Sequence, residues 1–125
     1  MIIGTGIDIV KNQRIERLIN KYGKRFLNKI YLASEIKYCS KQANFAASYA
    51  ARFAAKESVL KALGTGMRNN SWQDIEIINT KLGKPEVKLY NKTAEQASKL
   101  NVKTIFLSIS HEKDFSIAQI ILEGA

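Results

Sequence analysis

The chain has 125 residues, one cysteine, one histidine and a net charge of +9, from 20 Lys and Arg against 11 Asp and Glu. That length fits a single domain spanning 1–125. Cys39 alone excludes an intramolecular disulfide and a cysteine-built zinc site, and no run approaches the ~18 apolar residues of a membrane span. The opening MIIGTGID lacks the basic segment and long apolar run of a signal peptide, so a cytoplasmic protein is expected. The basic excess favours a polyanionic partner: nucleic acid, a membrane surface, a phosphorylated cofactor or an acidic protein. It is dispersed over Lys11 to Lys41, Arg52 to Lys61 and Lys81 to Lys103, which argues against a disordered nucleic-acid tail.

In chain order, residues 2–10 read as a strand. Alternation places Ile3, Ile7 and Ile9 on one face and Gly4, Gly6 and Asp8 on the other. Residues 12–22 fit a helix with Ile15, Leu18, Ile19 and Tyr22 at i, i+3, i+4 and i+7, while Arg14, Arg17 and Lys21 share another face. A short helix over 24–32 follows, and a third starts near Ser34 as its N-cap. Residues 43–63, alanine-rich and free of Gly and Pro, give the strongest helix pattern, stopped by Gly64. Strands are expected at 73–78 and 86–90, joined by a Gly83-Lys84-Pro85 turn, then a helix over 91–100 capped by Asn91. A hairpin of 104–110 and 115–122 closes the chain around His111-Glu112-Lys113-Asp114. Clustered helices and an antiparallel sheet make a small α+β domain with one central long helix.

Two carboxylates stand out. Glu57 falls in the apolar stripe Phe45, Tyr49, Phe53, Leu60, Leu63, where a charge is costly unless it is paired or binds a metal. Lys61, at i+4, offers the plainer explanation, a helix pair worth about 0.2–0.5 kcal/mol. Asp8 shares its strand face with two glycines, which leaves room for a ligand or another backbone; a turn or cap role is the alternative. Two carboxylates on separate elements suit a magnesium ion shared with phosphates. Arg52 and Lys56 are either a solvated i, i+4 pair or, with Lys61, the lining of a phosphate groove. Gly4-Thr5-Gly6 and Gly64-Thr65-Gly66 match neither a Walker motif nor GxGxxG. His111 has no second histidine or serine partner in any catalytic spacing.

GIDIV at 6–10, RFAAKESVLKALGTG at 52–66 and SISHEKDFSIAQIILE at 108–123, with WQDIEI at 72–77 and GKP at 83–85, resemble the short bacterial holo-acyl-carrier-protein synthases. These are stand-alone 4′-phosphopantetheinyl transferases, and the likeness runs in order over nearly the whole chain. The resemblance implies the 4′-phosphopantetheinyl transferase fold. It also implies Mg²⁺-dependent transfer of phosphopantetheine from coenzyme A to a serine of apo-acyl carrier protein, with release of adenosine 3′,5′-bisphosphate, for fatty acid biosynthesis. Asp8 and Glu57 would hold the metal, and Lys61 the pyrophosphate, Glu57 and Lys61 being the catalytic pair. Arg52, Lys56, Gly64 and His111 would lie near the coenzyme, and Gly83, Lys84 and Pro85 beside its adenine. Arg14, Arg17, Lys21 and Arg25 would dock the carrier protein, and a homotrimer with sites between subunits is implied. Ser48 stands where relatives often carry an aromatic, with Tyr49 beside it, and the basic residues around 37–44 are reduced to Lys37 and Lys41. Two other classes remain as rivals. A basic nucleic-acid-binding domain would need exposed aromatics among its basic residues; a non-catalytic scaffold would give Asp8 and Glu57 no role. No nucleic-acid or membrane partner is expected.

Overall fold

The computed structural model describes residues 1–67 and 70–125. Strand β1 (Ile2–Lys11) leads into helices α1 (Asn12–Tyr22), α2 (Lys24–Ile30), α3 (Ala33–Ser40) and the long α4 (Phe45–Leu63). A 3₁₀ turn (Trp72–Asp74) precedes β2 (Ile75–Asn79) and β3 (Pro85–Leu89), followed by α5 (Asn91–Lys99), β4 (Val102–His111) and β5 (Phe115–Gly124). One antiparallel sheet has the order β1-β5-β4, and β2 and β3 pair as a separate antiparallel hairpin. The expected α+β domain with a long central helix is what the chain forms. Among the described residues, no helix is long and apolar enough to cross a membrane.

Helix α4 is the hub of the core, with 15 of its 19 residues buried. A helix enclosed on nearly all sides is apolar around its whole circumference rather than along one stripe. Its alanines let neighbouring backbones come near, and two strand glycines complete the approach. A Cβ on Gly4 would overlap the carbonyl oxygen of Ala62, and one on Gly6 the carbonyl oxygen of Ser58. The glycine face of β1 is therefore open for another backbone, that of α4. Ser58 Oγ lies 2.7 Å from Ala54 O and 3.0 Å from Ala118 O, joining α4 to β5. The opposite face of β1 is turned outward, with Ile7 55% and Ile9 61% exposed.

Local signals differ from the expectations at several ends. Asn44 caps α4, its Oδ1 accepting from Ala47 N at 3.1 Å, and Gly64 ends it in the left-handed region at φ 77°. Helix α3 begins at Ala33 with Leu32, not Ser34, as its N-cap. The Leu32 N–H is taken by Glu35 Oε1 at 2.8 Å, while the Ser34 hydroxyl reaches across to Glu76 Oε2 at 2.6 Å. Ser34 is drawn off by a tertiary partner that local sequence does not reveal. Residues 72–74 turn rather than extend, because Ser71 Oγ accepts from Gln73 N and starts a helical turn. Tyr90 precedes α5 as its cap; Asn91 is its first residue, at φ 53°, with Nδ2 donating to Asp74 Oδ1 at 3.0 Å.

Because Gly6 meets the α4 backbone, Gly6→Ala must separate β1 from α4. Urea denaturation should show a loss of about 3 kcal/mol, the upper range for overpacking a core. An unchanged midpoint would show that the two backbones do not meet there.

Candidate active site

The closeness of β1 to α4 sets Asp8 beside the second half of that helix. Lys61 Nζ donates to Asp8 Oδ1 and to Ile7 O, each at 2.9 Å, and Lys61 and Ile7 line a cleft of about 340 Å³ with Thr5, Gly6 and Gln119. Lys61 is thus paired with Asp8, and the expected helix pair with Glu57 is not the ion pair it forms. Glu57, one turn earlier on α4, is half-buried. Burial pushes its carboxyl above the ordinary range, the charge of Asp8 adds to this, and Lys61 and Arg14 oppose it. Asp8, Glu57, Lys61 and Arg14 therefore form one electrostatic cluster drawn from β1, α4 and α1. Arg14 also lies over the Phe53 ring, 5.9 Å from its centroid.

A second cleft of about 400 Å³ opens farther up α4. It brings together Arg52, Gly83, Pro85 and His111 from three separated stretches of chain, along with Tyr38 and Asn79. Arg52 is only 5% exposed and forms its base. Its Nη2 donates to Asn79 Oδ1 at 2.6 Å, and the Tyr38 ring covers its face at 4.2 Å. Lys84 is exposed on the same turn as Pro85, whereas Gly64 sits at the C-terminal end of α4. Lys37 and Lys41 are exposed and do not line this cleft.

Lys56 requires a correction. Expected near the coenzyme, it is 0% exposed and fully occupied inside the core. Its three ammonium hydrogens are taken by Glu35 Oε1 at 2.7 Å, Ile30 O at 2.8 Å and Trp72 O at 3.1 Å. Burial lowers its pKa, against which Glu35 acts. Glu35, also 0% exposed, spends its other oxygen on Ile77 N at 3.0 Å. The pair joins α3, α4 and β2, and no donor is left for a phosphate. Tyr49 likewise belongs to the core, with its hydroxyl 2.8 Å from Ser40 Oγ. Tyr38 supplies the cleft aromatic instead. Sequence reasoning passed over Tyr38 and Asn79; the only signal for Asn79 was its place at the end of the predicted strand before the Gly83 turn.

Among the described residues, no group of three or more His, Cys, Asp or Glu is gathered as a metal site. Mg²⁺ needs fewer protein ligands, often one or two carboxylates with water and phosphate oxygens. The expected docking residues Arg17, Lys21 and Arg25 are exposed on α1 and α2. Arg25 borders a groove of about 300 Å³ with Leu18, Tyr22, Phe26 and Lys29.

A family model described as the 4′-phosphopantetheinyl transferase superfamily matches residues 4–120. A holo-[acyl-carrier-protein] synthase of Solibacter usitatus is 48% identical over 125 residues, 99% of this chain and 100% of that one. The Helicobacter pylori holo-[acyl-carrier-protein] synthase, solved in complex with coenzyme A, superposes with a TM-score of 0.84 at 33% identity. The match covers 95% of this chain and 99% of that one. A Plasmodium yoelii acyl carrier protein synthase with ADP bound gives 0.89 at 37% identity, over 100% and 97% of the two chains. The chain belongs to this superfamily, as an enzyme of its holo-[acyl-carrier-protein] synthase group.

The raised Glu57 pKa has a consequence for stability. The folded chain holds the Glu57 proton to higher pH than the unfolded chain does. Stability therefore falls as pH rises from the unfolded carboxylate value, about 4.3, through the folded value. Without divalent cations, Glu57→Gln should raise Tm at pH 7, and the gain should vanish below about pH 4. Thermal unfolding at the two pH values checks both halves.

Proposed function

We propose that this chain transfers the 4′-phosphopantetheine group of coenzyme A to a serine hydroxyl of apo-acyl carrier protein, releasing adenosine 3′,5′-bisphosphate, in fatty acid biosynthesis in the cytoplasm. The observation that carries the reading is the Asp8–Lys61–Glu57 cluster formed where α4 lies on β1, with the Arg52 cleft farther along the same helix. One end of the arrangement suits a pyrophosphate under attack, the other the nucleotide half of a phosphorylated coenzyme. The coenzyme bound to the Helicobacter pylori relative supports the choice of ligand.

Asp8 and Glu57 are the residues that would hold Mg²⁺. Their fit rests on Glu57, whose carboxyl is perturbed by burial and by Asp8, so a cation between them relieves a repulsion the apo protein carries. When bound, the ion supplies charge neutralisation and fixed geometry to the two phosphates. Lys61 then has a phosphate to face in place of Asp8 and offsets charge on the leaving side. The serine oxygen forms a bond to the phosphorus bearing pantetheine. The bond from that phosphorus to the bridging oxygen breaks, and the bridging oxygen departs with the adenosine bisphosphate. Glu57 and solvent at the site are the two candidates to accept the serine proton.

Arg14, Arg17, Lys21 and Arg25 are proposed to dock the acidic carrier protein. Arg14 is near enough to Glu57 to influence its ionisation, which links the docking face to the reacting centre. A homotrimer is proposed from the outer sheet face, where Ile7 and Ile9 of β1 and Phe106 of β4 stay exposed while the inner face packs on α4. Arg52, Pro85, Lys84, Gly64 and His111 are proposed to contact the coenzyme from one or more of the subunits.

The direct test mixes the protein with coenzyme A, Mg²⁺ and an apo carrier protein and follows the carrier's mass gain by mass spectrometry. Asp8→Asn and Glu57→Gln should each abolish most transfer while leaving the protein folded. Near-normal rates at the same Mg²⁺ concentration would remove the two-carboxylate site. Arg14→Glu should raise the KM for carrier protein and leave coenzyme A binding little changed. Added salt should act in the same direction, since exposed charges are screened beyond about 8 Å at 0.15 M. Steady-state kinetics at two salt concentrations would expose a misplaced docking face as unchanged carrier kinetics.

A further inference from the structure

The long helix carries three cations toward its neighbours, and their partners differ. Lys56 is neutralised by Glu35 and Lys61 by Asp8, the two ion pairs found among the described residues. Arg52 is buried with neither. Its guanidinium is held by neutral groups alone: Asn79 Oδ1 at 2.6 Å from Nη2, the Tyr38 ring on its face, and Ser48 Oγ at 3.5 Å from Nη1. Its Nε is buried with no hydrogen-bond partner. A guanidinium so placed usually carries a carboxylate, since a buried charge without one is costly. The residue in position to supply that carboxylate is Asn79, the last of β2, and it is an amide.

Arg52 only donates hydrogen bonds, so the oxygen of the Asn79 carboxamide must face it. Aspartate has nearly the same shape and would hold the guanidinium more strongly by Coulomb attraction. It would also cancel the charge. Among the described residues, no lysine and no other arginine lines this cleft; His111 is the remaining basic side chain on its wall. Among the described residues the permanent positive charge of the cleft is therefore that of Arg52, and the amide at 79 preserves it.

We propose that Asn79 is a positioning residue that orients Arg52 without neutralising it, keeping the cation available for a phosphate on the nucleotide half of the substrate. The inference rests on the reading of coenzyme A as donor substrate and adds a residue that selects for its charge. It predicts that stability and affinity move in opposite directions when only the charge at 79 changes. A residue that merely packs would move them together.

The experiment compares wild type, Asn79→Asp and Asn79→Ala in the full-length protein, reading Tm without ligand, calorimetric binding of adenosine 3′,5′-bisphosphate, and transfer kinetics. Asn79→Asp should raise Tm, weaken bisphosphate binding by about tenfold and raise the KM for coenzyme A with little change in kcat. Asn79→Ala should lower Tm yet weaken binding less than Asn79→Asp, because Arg52 keeps its charge. Repeating the kinetics with 3′-dephospho-coenzyme A tells which phosphate Arg52 serves. A penalty that disappears assigns the 3′-phosphate, and one that persists assigns the pyrophosphate. Binding by Asn79→Asp within twofold of wild type overturns the proposal. So does an alanine variant that binds as weakly as, or more weakly than, the aspartate variant. Failure of the wild-type protein to bind either nucleotide would instead refute the coenzyme reading itself.

Discussion

The contact between the α4 backbone and β1 is the constraint on which the site depends. Gly4 and Gly6 bring the strand against Ala62 and Ser58, closer than any side chain would allow. Asp8, two residues beyond Gly6 on the same face, then comes level with Lys61. Asp8 is 53 residues from Lys61 in sequence, and no local interaction would place it there. Loop-closure entropy for that separation is met mainly by apolar burial along α4, not by the polar groups of the site. The carboxylates are passengers on a packing solution that small residues make possible.

The Glu35–Lys56 pair plays a different part. Neither residue is exposed, and every hydrogen of the ammonium has an acceptor. Desolvation of such a pair offsets much of its Coulomb attraction, so net stabilisation is a weak explanation for it. What it does supply is direction. The carboxylate closes the start of α3 through Leu32 N and holds β2 through Ile77 N, two residues before Asn79. The ammonium reaches the end of α2 and the 3₁₀ turn. A polar node with so many fixed partners sets how β2 and its turn stand relative to α4, and hence where the wall of the Arg52 cleft lies.

Much of the fold was legible from pattern. Alternation found β1 and the closing hairpin, and the Ala-rich run ending at Gly64 found α4 to within two residues at its start. The α4 reading failed in a more instructive way. A stripe of Phe45, Tyr49, Phe53, Leu60 and Leu63 implies one buried face, yet the helix is enclosed nearly all round, so position on the helical wheel did not separate Lys56 from Lys61. Periodicity reports which residues share a face, not what covers the other faces. Resemblance to a family carried Asp8 and Glu57 together because the motif stores tertiary information that one chain's periodicity lacks. Tyr38 and Asn79 had no such motif. Their meaning depends on a guanidinium reaching them from another element, and only coordinates show that.

The arrangement of charge along α4 gives up stability at the two positions proposed to meet ligands. Glu57 keeps a carboxyl in a place that raises its proton affinity, and Arg52 keeps a cation with an unpartnered Nε. Hydrophobic or oppositely charged replacements at their neighbours would relieve both. The core pair at Lys56 shows that this fold can neutralise a buried cation fully when nothing else needs it. Local rules are thus obeyed at the middle of the helix and broken on either side, at half-buried Glu57 and at Arg52, which lines an open cleft. Such breaks mark functional positions more sharply than residue type does. The three basic residues of α4 are alike in sequence, and their roles are set by what each is denied: solvent for Lys56, a carboxylate for Arg52, and burial for Lys61.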